Sequence, residues 1–305
     1  SERFTFFYFY EFLMTKRKEL KQMNNFLISV KNKYKTGIMF EGGGSGHGGH
    51  KGNNWVTMPL KYSIMKELHT EREISLLQPI AAVELFAFVS IYQKELINLL
   101  DMNSIFSLRH HHKNNELCYK NKNKSITKYF AVESAQIDKD LIEKTGMFFD
   151  IKPYKSIASF TSSEEWLVLN SKYRYFIRTD YKACFDSIYT HTFKWLIGKD
   201  VNDTKDFKNT NIYTTIDRIL QNINTRTSNG IVVGPEFSRM IAEILLQAID
   251  RTVYSKLLNS GKAVGENYNV YRFVDDIFIF AESEELANEI VQILSLIHIS
   301  EPTRQ

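Results

Sequence analysis

Cysteine is nearly absent from this chain. Only Cys118 and Cys184 occur in 305 residues. They have no paired spacing and form no C-x-x-C, so neither a disulfide framework nor a cysteine zinc site has support, and a reducing, cytoplasmic setting is expected. Long apolar runs are missing too. The longest, Ile80 to Tyr92, contains Glu84 and is too short to span a bilayer, and the N-terminus lacks the basic flank and small-residue cleavage site of a secretion signal. No membrane partner is expected. Charge of one sign is also scarce: 39 basic against 35 acidic residues leave +4, which informs only where it is concentrated. What is present is an apolar content of 43%, enough for a substantial core in one large domain or two ordinary ones.

Both ends of the chain read differently from its middle. SERFTFFYFYEFL precedes Met14, which opens an ordinary Lys-rich stretch, so residues 1–13 are expected to be upstream translation, with a native aromatic strand or helix as the alternative. Leu294 to Arg304, LSLIHISEPTR, resembles a translated sequencing adapter, which places the expected end of native sequence near Ile293 and makes 294–305 an artefact. Within 14–78, GGGSGHGGHKG at 42–52 reads as a flexible loop. A phosphate-binding P-loop is excluded because no Gly-Lys-Ser/Thr follows at the required spacing.

From Pro79 to Leu100 apolar residues recur at helical spacing, with Leu85, Phe88, Val89 and Tyr92 on one side. Arg109 to Lys128 then carries six Lys/Arg and three His against one acid, with Tyr119 interleaved. Such a run suits phosphate contacts or a solvated loop. His110, His111 and His112 are adjacent and cannot all face one ion in a regular element, so an exposed tract is expected.

Three segments carry chemistry. YRYFIRTD at 173–180 alternates as a strand that ends in Asp180, and Ser187 to Lys199 can turn away as a helix. Gly234-Pro235 precedes an amphipathic helix with Phe237, Met240, Ile241, Ile244, Leu245 and Ala248 on one stripe. VYRFVDDIFIFAES puts Asp275 and Asp276 between two short apolar runs, as at the bend of a hairpin. An isolated Asp-Asp is weak. A strand-tip Asp, a Gly-Pro-opened helix and an Asp-Asp hairpin in that order are specific, because two Mg²⁺ ions about 3.5–4 Å apart need two or three hard carboxylate ligands to serve both ends of a nucleotidyl transfer.

These segments resemble the palm of reverse transcriptases: DYKACFDSI looks like the first palm motif, GIVVGPEFSRMIAEI the second and YRFVDDI the third. Ser-Arg followed by Ala-Glu-Ile in the second resembles abortive-infection and defence-associated bacterial enzymes more than retroviral or group II intron ones. The resemblance implies an α+β right-hand polymerase, with mostly helical fingers at 79–170 and a palm at 171–293 whose antiparallel sheet is packed by helices. It implies Asp180, Asp275 and Asp276 as catalytic ligands of Mg²⁺ or Mn²⁺, and Tyr181, Phe185 and Arg109 as nucleotide contacts, with Phe185 rejecting a 2′-hydroxyl. Gly234, Pro235, Ser238, Arg239 and Phe273 would meet an RNA or DNA template-primer, and Glu243 is a weaker candidate. Deoxynucleotides, a partner subunit and a non-coding RNA are the further partners implied.

Departures from the family pattern are Phe273 for a tyrosine, Val232-Val233 for Pro-Gln, and no primer grip or thumb after the hairpin. With the thumb missing, primer-template binding is expected to be weak. Alternatives for single residues are a helix N-cap for Asp186, a core ring for Phe185, a buried small hydrophobe for Cys184, and exposed strand cations for Lys182 and Arg272. Two other readings of the whole stand beside RNA-directed DNA polymerisation in antiphage defence: a palm-shaped nucleic-acid-binding scaffold, and a retron or group II intron-type reverse transcriptase.

Overall fold

Short alternating strands and a single long helix shape this chain. The computed structural model describes residues 28, 56–67, 70–101, 104–114, 149–195 and 212–296. The upstream stretch, the Gly-rich loop, residues 115–128 of the basic run and residues 297–305 lie outside them. In chain order, β1 (Leu60–Glu67) and β2 (Thr70–Leu76) form a hairpin, followed by α1 (Pro79–Ile91) and α2 (Gln93–Asp101). β3 (Arg109–Lys113) pairs antiparallel with β4 (Phe149–Pro153), and α3 (Ile157–Thr161) and α4 (Glu164–Lys172) lead into β5 (Tyr175–Asp180). Then come α5 (Cys184–Ser187), α6 (Thr192–Trp195), α7 (Ile212–Asn222) and the long α8 (Glu236–Asn259). The hairpin of β6 (Tyr268–Phe273) and β7 (Asp276–Ala281) and then α9 (Glu284–Leu296) complete the described chain.

The central sheet has the order β5-β7-β6, antiparallel throughout. Its middle strand is buried on both faces, which explains why β7 reads as an unbroken apolar run. Ile277, Ile279 and Ala281 join the main core with α8 and α9, while Phe278 and Phe280 join a second core with Phe160, Leu169 and Tyr173. Phe278 and Phe280 are fully buried, each contributing about 1.5–3 kcal/mol. Trp166 stands edge-on to Phe176, Phe278 and Phe280 at 5.4, 5.9 and 5.4 Å. Its helix is fixed by the Ser163 hydroxyl, which accepts from the Trp166 amide.

β6 has a further neighbour. Its Arg272 amide donates to Phe106 O at 2.7 Å and Leu108 N donates to Arg272 O at 2.8 Å, so residues 106–108 add a short parallel stub to the sheet edge. That stub continues directly into β3.

Three expectations change. The helix expected over Pro79–Leu100 is two helices, broken at Tyr92 (φ −97, ψ 18), and residues 81–89 are all buried rather than striped. The three adjacent histidines form part of β3 instead of an exposed tract, and His111 is buried. The helix expected over Ser187–Lys199 is reduced to the short α5 and α6 in its described part. α9 runs through Leu296 with Leu294 buried, so the first residues of the adapter-like stretch are helical. Among the described residues no helix is long and apolar enough to cross a membrane.

The burial of His111 has a pH signature. Its ring is edge-on to Phe149 at 6.0 Å, Nδ1 donates to Arg109 O at 3.2 Å, and Nε2 has no partner. Burial first, then the Arg109 charge, lower its pKa to about 4. A folded pKa below the unfolded value near 6.5 means the folded chain binds fewer protons between the two, so this contribution is complete above about pH 6.5 and is lost as pH falls toward 4, by roughly 3 kcal/mol. His111→Phe should flatten that dependence, read as the difference between wild-type and variant urea-unfolding curves at about pH 7 and about pH 5.

Candidate active site

Asp180 ends β5 and Asp276 begins β7, and the two are direct cross-strand partners. Two like charges placed opposite each other on one face of a sheet are destabilising unless something offsets them. Asp275 occupies the turn beside them. Burial pushes its carboxyl up, Asp276 and Asp180 push it further, and its own amide and Arg72 of β2 pull it down. The turn is held by Tyr181 N, which donates to Asp275 O at 3.1 Å, and it passes through Val274 at φ 58. A β-branched residue in the left-handed region is strained by about 1–3 kcal/mol.

Arg178, two residues before Asp180 and on the same face, answers the repulsion. Its Nη2 and Nε donate to Asp276 Oδ1 at 2.8 and 3.3 Å, and its guanidinium lies 5.5 Å from the Phe278 ring centroid. With Asp276 turned to Arg178, no three His, Cys, Asp or Glu side chains gather closely enough to hold a metal ion among the described residues. The donor set still fits a hard divalent cation. All three groups are carboxylates, they are brought together by one strand pair and one turn, and their mutual repulsion is what such a cation relieves.

Past Asp180 the chain enters α5 through Ala183 in the left-handed region (φ 50). Cys184 and Phe185 point into the main core, and Ile231 N donates to Phe185 O at 2.9 Å. Burial pushes the Cys184 thiol up to about 12, so it stays protonated and acts as a small apolar side chain. Tyr181 is buried as well, with its hydroxyl unpartnered and held above the usual phenol range by burial. Asp186 is exposed inside α5, three residues after Ala183, which takes the N-cap place expected for Asp186.

The second segment is seated against β2. Gly234 (φ +122) packs on β2, and Ser75 N donates to Val233 O at 2.8 Å. Pro235 is the N-cap of α8, one position ahead of the first-turn place expected for it. Ser238 and Glu243, two of the candidate template-primer contacts, are fully buried on α8 and face the core. Arg239 is half-buried and pairs with Glu236 at 2.7 Å. Arg109, expected at the nucleotide, is turned inward because β3 continues from the stub on β6. Its guanidinium is paired with Glu236 and lies 5.4 Å from the centroid of the half-buried Phe273 ring.

Two residues near the site, Arg72 and Asp250, carry no signal in the motifs, and two others, Arg272 and Glu243, take roles different from those expected. Arg72 acts on Asp275 from β2. Arg272 is not an exposed strand cation but fully buried, and binds Glu243 and Asp250 of α8 together. Glu243, expected at the template, and Asp250 hold this arginine instead. A signal was available: acids at 236, 243 and 250 recur every seven residues, which puts them on one face of a helix. Burial alone would raise the Glu243 carboxyl, but Arg272 more than offsets it and holds it below the ordinary value. At Asp250 burial prevails and the carboxyl is raised.

The Gly234 approach is directly testable. A Cβ there would lie 2.7 Å from Ile74 Cγ2 and 2.9 Å from Ser75 O. Gly234→Ala should therefore cost about 1–3 kcal/mol in urea unfolding and accelerate exchange of the Ser75 amide as β2 lifts away.

The family model described as reverse transcriptase (RNA-dependent DNA polymerase) matches residues 116–297, a span that holds all three aspartates, α8 and the hairpin. No curated protein matches the chain. Mixed helices and small antiparallel sheets agree with the right-hand polymerase-like fold of that family. The match covers more than half of the chain, which belongs to the reverse transcriptase (RNA-dependent DNA polymerase) family.

Proposed function

We propose that this chain is the catalytic palm and part of the fingers of a bacterial RNA-directed DNA polymerase, cytoplasmic and serving antiphage defence, that adds deoxynucleotides to a 3′ end with two Mg²⁺ ions. The observation that carries the reading is the direct pairing of Asp180 with Asp276, with Asp275 in the adjoining turn. Like charges in that register have a structural cost and a chemical use. Asp180, Asp275 and Asp276 would hold the ions. When bound, two such ions activate the attacking 3′-oxygen and neutralise the leaving pyrophosphate.

The chain's own groups supply the remainder. Arg178 releases Asp276 as the site is occupied. Arg72, already acting on Asp275, meets the triphosphate charge in place of Arg109. Phe185 and Tyr181 form an apolar floor under the incoming sugar, where the ring leaves no polar partner for a 2′-hydroxyl. Gly234, Arg239 and the half-buried Phe273 would face the template-primer, with the buried Pro235 and Ser238 supporting them from the core. The defence role rests on the resemblance in the second motif.

A palm-shaped nucleic-acid-binding scaffold is the second reading, favoured by the Arg178–Asp276 pair that keeps the carboxylates apart. Primer extension on an RNA template separates the two. Mg²⁺-dependent incorporation by the wild-type chain that drops to background in Asp275→Asn supports the polymerase. Template-primer retention in a gel shift without incorporation supports the scaffold, and undiminished activity of the variant removes the aspartates from the mechanism.

Arg178 gives a second, quantitative outcome. Its side chain is more than half exposed, so the pair with Asp276 is worth about 0.2–1 kcal/mol. Arg178→Gln should free Asp276 and tighten binding of Mn²⁺ alone, in a paramagnetic titration, by up to roughly fivefold.

A further inference from the structure

The guanidinium of Arg272 is fully engaged inside the protein. Nε donates to both Asp250 oxygens at 3.0 Å, and Nη2 donates to Asp250 Oδ2 at 2.7 Å and Glu243 Oε1 at 2.8 Å. Nη1 donates to Glu243 Oε2 and to the carbonyl of Val274, each at 3.0 Å. The backbone of Arg272 is clamped as well, by Phe106 O and Leu108 N. Residue 272 is thus held from both sides, two positions before the strained Val274 and three before Asp275.

Stability is a poor reason for such a cluster. Apolar residues of similar volume in place of a buried ion pair or triad are often neutral or stabilising, because two carboxylates and a guanidinium must all be stripped of water. An apolar core cannot donate to the Val274 carbonyl. A β-branched residue leaves the left-handed region readily unless its surroundings over-determine it, and if it leaves, both aspartates change direction. Lysine is no substitute, since a compact ammonium lacks the planar fork that spans two carboxylates and a carbonyl at once.

We propose that Arg272, oriented by Glu243 and Asp250, is a positioning residue for the aspartate pair: through the Val274 carbonyl it holds the left-handed turn that aims Asp275 and Asp276. The inference rests on the reading of those aspartates as metal ligands. It concerns residues that touch neither nucleotide nor metal.

The test uses the full chain and a triple replacement, Arg272→Met with Glu243→Leu and Asp250→Leu. The variant is expected to melt at or above the wild-type temperature. Binding of Mn²⁺ alone should nevertheless weaken roughly 10–100-fold, and amide exchange across residues 274–276 should accelerate. Adding Val274→Gly, which removes the conformational strain, should recover part of the lost affinity. Wild-type Mn²⁺ affinity together with wild-type exchange at the turn in a folded triple variant would overturn the proposal. Should the triple variant not fold, Arg272→Lys decides: weaker Mn²⁺ binding by a folded protein supports the proposal and wild-type binding refutes it. If the wild-type chain binds no Mn²⁺ while the turn still loosens in the variant, the metal-ligand reading fails and the positioning role stands.

Discussion

The placement of the aspartates depends on a single buried cation. Arg272 sits among residues that would ordinarily exclude it, and removing one member of its cluster would leave a charge stranded in the core at a cost of about 3–5 kcal/mol. Because both carboxylates come from α8 and the guanidinium from β6, this cluster fixes the rotation of the longest helix against the central sheet. The glycine-opened start of that helix then falls beside β2, and the segment before it hydrogen-bonds to the Phe185 backbone. Three separated stretches of sequence meet because a few charges leave no other register.

The second constraint pulls the other way. A sheet that pairs Asp180 with Asp276 accepts repulsion at the end of its central strand. Arg178 offsets part of it from an exposed position, where salt and solvent weaken the attraction. Inside, the ion pairs are shut away from water; at the mouth, the pair is open to it. A rigid interior ion cluster beneath a soft exterior one suits a site whose charge balance changes with each bound nucleotide.

Much of this was legible in the sequence where periodicity speaks. The hairpin around Asp275 and the strand ending at Asp180 follow from apolar spacing, whereas α8 forms where its apolar residues recur but is buried on nearly every side from Met240 to Gln247 instead of along one stripe. The burial of Arg109, His111 and Arg272 was not legible. Charged and imidazole side chains are mostly exposed, and only knowledge of a partner on another element reverses that default. Ser238 misled for a related reason, because a motif position reads as a contact when it also serves packing. The break at Tyr92 was hidden because a helix buried on every side carries no periodic stripe to mark where one helix stops and the next begins.

The seven-residue recurrence of Glu236, Glu243 and Asp250 also limits how the gene for this protein can change. Each residue added to or removed from a helix turns everything beyond it by about 100°. A single-codon insertion between positions 243 and 250 would swing Asp250 out of line with Glu243, and one between 236 and 243 would swing both away from Glu236, so the three could no longer meet their arginines together. Beyond Asp250 the constraint changes kind: Val253 and Leu257 are fully buried in the main core, so a shift there would lift apolar side chains out of their packing instead of stranding a charge.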